Sequence, residues 1–255
     1  MKAELYDLEG KKIKELELPS QFETEYEPVL VKRALLVIHN HQKPYGAMYG
    51  AGLMGVSGKI SRRRRNYKGS YGHGISRVPR KTLWRRGTQF GWVGTEAPGT
   101  VKGRRAHPPK AEKDFTLKIN KKERRKAIRS VLGGIAHEHK ITFVEAKFET
   151  LNKSKDVKHF MEKINLGKEL QRLENVSIRS GKGKKRGRKY QTKKGPLLVV
   201  ADKCSVQHAA KNLPGIEIIT VRNLNVDSLT RGTALRPSIW TENAVKKLAM
   251  EKLFQ

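Results

Sequence analysis

"PLLVVA", residues 196–201, contains no polar side chain. A short apolar run without alternation reads as a strand buried on both faces, which a parallel sheet covered by helices on each side requires. Working outward, "ITFVEA" (141–146), "IEIITV" (216–221) and "LRPSIW" (235–240) read as further short strands, and helical patterns near 155–165, 205–212 and 242–253 alternate with them. That alternation predicts an α/β fold, a single open and largely parallel sheet flanked by helices. Upstream, "AELYDLEGKKIKELEL" (3–18) alternates around Glu9-Gly10 as a β-hairpin does. Pro28 suits a helix start, with Glu25 and Glu27 in its first turn and "VLVKRALLVI" as a core segment. Asn120 and Glu123 stand at capping-box spacing, and Ile128, Val131, Leu132 and Ile135 fall on one face of the helix that follows.

Between these patterned stretches the chain changes character. Residues 43–110 hold sixteen Lys/Arg, thirteen of the 23 glycines and one acid, Glu96. A second basic insert, residues 178–194, holds nine Lys/Arg and no acid. The predicted organisation is therefore one domain over 1–255: a globular body of 1–42 and 111–255, a long extended basic loop at 43–110 inserted after the first helix, and a second basic loop at 178–194. The long loop is too polar and glycine-rich to bury the surface that would offset its ordering entropy, so it is expected to take its shape from a partner.

The charge points to that partner's chemistry. Lys+Arg number 55 against 24 Asp+Glu, giving a net charge of +31 and a pI near 10.4. A nucleic acid suits such an imbalance, because each neutralised phosphate releases a counterion. No apolar run reaches the roughly 20 residues of a membrane span, and Lys2, Glu4 and Asp7 interrupt the start where a signal peptide would be apolar; a soluble intracellular protein is expected. Cys204 is the only cysteine, which excludes intrachain disulfides and cysteine-cluster zinc sites.

Three motifs suggest chemistry and fall short of it. Residues 50–55 spell G-x-G-x-x-G, yet they neither follow a strand nor meet a ribose-binding acid about 20 residues later. Gly58-Lys59 resembles a phosphate loop, but Leu53 stands where its first glycine belongs. The pairs His39/His41 and His137/His139 are spaced i, i+2 near helix ends, where the helix dipole favours them, and not at the i, i+4 of a helical zinc pair. Asp202, Cys204 and His208 at a helix start read as a structural cap rather than a thiol site. No cofactor, metal or catalytic group is expected. An RNA-modifying or dinucleotide-dependent enzyme and a DNA-compacting basic protein remain as alternatives.

Interleaved cations and aromatics are the chemistry for holding phosphates while stacking unpaired bases. In the long loop the cations are Lys59, Arg62, Arg63, Arg64, Arg65, Lys68, Arg77, Arg80, Lys81, Arg85, Arg86, Arg104 and Arg105. The aromatics among them are Tyr67, Trp84, Phe90 and Trp92, with Tyr45, Tyr49 and Tyr71 nearby.

Five blocks in order carry a family resemblance over nearly the whole chain: "KGRRAHPPKAEKD" (102–114), "INKKERRKAIRSVL" (119–132), "SGKGKKRGRKY" (180–190), "LPGIEIITVRNLNVDSL" (213–229) and "IWTENAVKKL" (239–248). Together they resemble the family of large ribosomal subunit protein four, in its archaeal and eukaryotic branch. The resemblance implies a non-enzymatic constituent of the cytoplasmic ribosome. It implies a body on the outer surface of the subunit, a loop threading large-subunit rRNA to the wall of the peptide exit tunnel, and early binding in assembly. It places Gly72, His73, Gly74, Ile75 and Ser76 at a tunnel-facing tip followed by Arg77 and Arg80. Arg104, Arg105, His107, Pro108 and Pro109 match the returning stem, and Lys182, Lys184, Lys185, Arg186, Arg188 and Lys189 match a second rRNA-contacting loop. Implied partners are large-subunit rRNA, neighbouring large-subunit proteins including the other protein of the tunnel constriction, and the nascent polypeptide, with no membrane.

Overall fold

The computed structural model describes residues 1–42, 58–101, 103–110 and 112–255. In chain order the first elements are β1 (Lys2–Tyr6), β2 (Lys12–Glu17), α1 (Pro28–His41), β3 (Arg80–Arg86), β4 (Gln89–Gly94), α2 (Lys121–His137), β5 (Ile141–Val144), α3 (Ser154–Lys163) and α4 (Gly167–Glu174). There follow β6 (Ser177–Ile178), β7 (Tyr190–Gln191), β8 (Leu197–Val200), α5 (Val206–Lys211), β9 (Glu217–Thr220), α6 (Val226–Leu229), β10 (Thr230–Arg231), β11 (Ala234–Leu235), β12 (Ser238–Thr241) and α7 (Glu242–Met250). They form two compact units, Met1–His41 with Leu117–Gln255, and Gln42–Thr116.

The first unit is built on a six-stranded sheet ordered β2-β1-β5-β12-β8-β9. All neighbours are parallel except β1 and β2, the N-terminal hairpin. β12 and β8 are both interior strands and every one of their residues is buried. Period-two geometry then divides each strand between two cores. Leu197, Val199 and Trp240 join a cluster with Val31 of α1, Ile128, Val131, Leu132 and Ile135 of α2, and Ala244, Val245 and Leu248 of α7. Leu198, Val200 and Ile239 join another with Val157, Phe160 and Met161 of α3, Leu170 of α4, and Val206, Ala209 and Ala210 of α5. An aromatic pair lies in each core: Phe22 meets Trp240 edge-on at 5.4 Å, and Phe148 meets Phe160 in a tilted pair at 5.0 Å.

Several expected boundaries move. α1 begins at Pro28, so Glu25 and Glu27 precede it and its first turn holds no acid. Glu27 instead pairs with Lys126, and its N–H donates to Ser130 Oγ. Asn120 caps α2 by position, but its side chain makes no cap hydrogen bond, and the Glu123 carboxylate pairs with Arg33. The reciprocal capping box occurs at Asn225 and Ser228, opening α6. β12 begins at Ser238, after Pro237, which has no N–H for the ladder but gives its carbonyl to Leu197 N. α4 and α6 were not legible as helices, being eight and four residues long.

Doubly wound sheets bind ligands at the carboxyl ends of the strands where the topology reverses. Here that place lies between β8 and β12, whose following helices α5 and α7 pack into opposite cores. The crevice is occupied by the chain's own carboxylate. Glu149 accepts from Ala201 N at 3.2 Å, Thr241 Oγ1 at 2.6 Å and Asn243 Nδ2 at 3.1 Å. Those donors could otherwise serve a phosphate, and a fixed carboxylate repels one. Cys204, beside it, is a poor nucleophile for the same reason: burial first, then the Glu149 charge, pushes its thiol up.

Candidate nucleic-acid interface

The second unit contains a feature that an extended loop does not anticipate. β3 and β4 pair as an antiparallel hairpin, Arg80 opposite Gly94 and Arg86 opposite Gln89, with an irregularity between Thr82 and Trp84. The turn is Gly87-Thr88, and Gly87 takes φ +59°, a conformation that favours glycine in two-residue hairpins. Its signal was a run of Thr, Trp, Phe and Val around R-G-T-Q, masked by the surrounding cations.

This hairpin positions most of the predicted aromatics. Tyr67 meets Phe90 edge-on at 5.0 Å, and Phe90 meets Trp92 at 5.2 Å. Arg85 lies 5.1 Å over Tyr67 and Arg80 5.1 Å over Trp92. The geometry suits cation–π attraction, which holds both guanidinium groups against the hairpin; Arg85 spends its Nε on Gly87 O, and its terminal nitrogens remain for an acceptor. Trp84 stands apart and 57% exposed, its indole packed over Gly91, where any Cβ would come within 2.2 Å of Nε1.

Glu96, the lone acid of the basic segment, has a local duty. Its Oε1 accepts the Gly58 N–H at 2.6 Å, while Lys59 bridges to Arg80 and Thr95 N donates to Pro79 O. The carboxylate thereby clasps the two ends of the described excursion from Gly58 to Glu96. Sequence reasoning missed this, although an isolated acid among sixteen cations was itself the clue.

At the far side of the excursion, Gly72, His73, Gly74, Ile75 and Ser76 are all exposed. The chain beyond the tip is braced by Arg80, whose guanidinium donates to Ser76 O at 2.7 Å, Ser76 Oγ at 3.2 Å and Val78 O at 3.3 Å. Arg62, Arg63, Arg64, Arg65, Arg77, Arg85 and Arg86 are exposed, whereas Lys68, Arg80 and Lys81 are half-buried. On the returning stem, Arg105 and His107 are exposed and Arg104 is half-buried. The glycine fingerprint at residues 50–55 and the tyrosines Tyr45 and Tyr49 lie outside the described residues.

The second basic loop belongs to the first unit and is also a small hairpin, Ile178 of β6 opposite Tyr190 of β7. Lys182, Lys184, Lys185, Arg186, Arg188 and Lys189 are all exposed on it, and Lys189 lies 5.3 Å over the Tyr190 ring. Its root is fastened tightly. Arg172 Nη2 donates to Lys194 O at 2.8 Å, and Lys193 Nζ returns a bond to Arg172 O. Gly195 N donates to Gly215 O at 2.7 Å, an approach so close that a Cβ on Gly195 would fall 2.9 Å from that oxygen. Behind them Arg236, fully buried, donates to Gly195 O (2.5 Å), Glu217 Oε2 (2.6 Å), Ser228 O (2.8 Å) and Pro196 O (3.3 Å). Burial lowers the proton affinity of this guanidinium, and Glu217 works against that.

The histidines take structural places. His39 and His41 close α1 and His137 closes α2, with His39 bonded to Asp227. Among the described residues no three His, Cys, Asp or Glu side chains converge as a metal site, and no helix is long and apolar enough to cross a membrane.

Each unit thus presents exposed cations on or beside a hairpin fastened at its root, a chemistry that suits a polyanion. The comparisons with known proteins agree with that chemistry. The model of the Ribosomal protein L4/L1 family matches residues 16–251. A large ribosomal subunit protein uL4 from Nanoarchaeum equitans is 42% identical over 268 residues, covering the whole of both chains. Its namesakes from Methanocaldococcus jannaschii and Archaeoglobus fulgidus are 40% and 38% identical, each covering 97% of this chain and 98% of its own. With most of its length inside the family model and archaeal relatives matching from end to end, the chain belongs to the ribosomal protein L4/L1 family, in its archaeal form.

Proposed function

We propose that the chain is a non-enzymatic structural constituent of the large subunit of the cytoplasmic ribosome, that it binds large-subunit rRNA early in assembly, and that it lines the peptide exit tunnel. The observation that carries this reading is the end-to-end match with archaeal proteins named for that subunit. In this reading the chain is one domain with two arms. The body sits at the subunit surface among neighbouring proteins. Arm 43–110 enters the rRNA, with Gly72 to Ser76 brought to the tunnel wall beside the other constriction protein and the nascent polypeptide. Arg62 to Arg65, Arg77, Arg85, Arg86 and Arg105 neutralise packed phosphates, and Trp84 offers an exposed ring for stacking.

Sedimentation tests it. The chain is expected to travel with large subunits through a high-salt wash that strips loosely held basic proteins. Release by that wash, or binding to duplex DNA as tight as to rRNA at matched salt, would overturn the reading.

A further inference from the structure

The two edges of the six-stranded sheet are built differently. β2, at one edge, is charged at Lys12, Lys14, Glu15 and Glu17, a device that keeps an exposed edge from pairing with another chain. β9, at the other edge, reads Glu-Ile-Ile-Thr, and its one charged side chain, Glu217, is committed to the buried Arg236 at 2.6 Å. Ile218 and Ile219 are half-buried, one against each core. A β-branched strand without a free charge is the kind of edge that accepts a further strand.

Alternation shows which backbone groups β9 leaves open. In a parallel ladder a residue turns both its N–H and its C=O to one neighbouring strand, and the next residue turns its pair to the other. Leu197 donates to Pro237 O, on the β12 side, so Leu198 faces β9. Leu198 stands opposite Ile218 and bonds the residues that flank it, which turns Glu217 and Ile219 toward β8. Ile218 and Thr220 face outward, and no other strand of this unit pairs with them. Between this edge and α5 runs an open groove of about 540 Å³, lined by Ile216 and Ile218. Lys203 and Lys211 also line it, both exposed and neither paired with a carboxylate among the described residues.

We propose that the β9 edge is a docking site for an extended acidic segment of another protein, added to the sheet as a further strand. Such a segment meets Ile218 and Thr220 with main-chain hydrogen bonds, sets alternate apolar side chains on the isoleucines, and brings acids to Lys203 and Lys211. RNA carries no row of amides spaced to match a strand. A second copy of this chain carries the same charge of +31 and is repelled. The inference deepens the proposed role, in which neighbouring proteins cover the body, and rests on it only for the source of the segment.

NMR amide spectra of the full chain, with and without a short peptide alternating valine with glutamate and threonine, test this. An acidic peptide also gathers on the basic arms, so the readout is taken residue by residue. Expected are shifted amides across residues 217–220 and slowed exchange at Ile218 and Thr220. Thr220→Pro should abolish the response at Ile218: Thr220 has φ −75°, which proline matches, so the variant removes the outward N–H without bending the strand, and an unchanged urea midpoint verifies folding. K203E/K211E, at two exposed positions, should weaken the β9 response roughly tenfold as two exposed ion pairs are lost. Peptide shifts confined to the arms would overturn the inference. So would a response that survives Thr220→Pro, or slowed exchange at Ile218 and Thr220 produced by a large-subunit rRNA transcript in place of the peptide. None of these results bears on rRNA binding by the arms, which the salt-wash sedimentation tests separately.

Discussion

His39 Nε2 and Asp227 Oδ1 lie 3.1 Å apart, and the same oxygen lies 3.3 Å from Lys194 Nζ. One carboxylate therefore joins the last turn of α1 to the end of the second basic loop. Burial alone would raise the Asp227 carboxyl; the His39 hydrogen bond and the Lys194 charge outweigh it and hold the group below the ordinary Asp range. A depressed carboxyl stabilises fully above its unfolded value, near ~3.9, and loses that contribution as pH falls through the lower folded value. Asp227→Asn is expected to cost about 1 kcal/mol near neutrality and less at about pH 2. Urea midpoints of both chains at the two pH values measure it.

Arg236 fastens the body from a fully buried position with four hydrogen bonds. Removing its side chain leaves the carbonyls of Gly195, Pro196 and Ser228 without their donor and opens a cavity. Arg236→Ala is expected to lower stability by about 3–5 kcal/mol, read as a fall in the urea midpoint. Glu217→Gln, which keeps an acceptor beside the guanidinium, should cost distinctly less.

Gly215 sits at φ +71°, and a Cβ there would approach Lys193 O to 2.4 Å. Gly215→Ala is expected to cost more than about 1 kcal/mol and to speed amide exchange at Gly195, whose N–H bonds to Gly215 O.

Glu149 ties the ends of β8 and β12 to its own segment. Glu149→Ala leaves three donors unsatisfied and is expected to cost about 1–3 kcal/mol. Glu149→Gln, which can still accept at one oxygen, should recover part of that in the same calorimetric scan.

Trp84 separates recognition from stability. Its ring is exposed and packs over the hairpin at Gly91, so Trp84→Ala is expected to leave the melting of the body unchanged while weakening rRNA binding by about 1–3 kcal/mol. Filter binding and calorimetry on the same preparation check both halves.

The body was legible in the sequence because its signals are local. Runs such as 196–201 announce buried strands, and Ile128, Val131, Leu132 and Ile135 announce a helix face. What could not be read depends on contacts between distant residues. Arg236 sits inside a strand-like run, and only the fold reveals that it holds the carbonyls of residues 195, 196 and 228. The Asn120–Glu123 box lacks both halves: Asn120 makes no cap hydrogen bond, and Arg33, far away in sequence, takes the Glu123 carboxylate. In the basic arm, charge and glycine content concealed the β3–β4 hairpin, whose stability comes from Tyr67, Phe90 and Trp92 meeting at its face. The exposed cations themselves were foreseeable from composition; their fastening by Glu96 and Arg80 was not.

The central claim is that the arms enter folded ribosomal RNA, and a cryo-electron microscopy reconstruction of large subunits containing this chain tests it most directly. The expected density shows residues 58–110 and 178–194 enclosed by rRNA, with Gly72 to Ser76 bordering the exit tunnel. Density showing both segments on the solvent face, or packed solely against other proteins, would contradict the account.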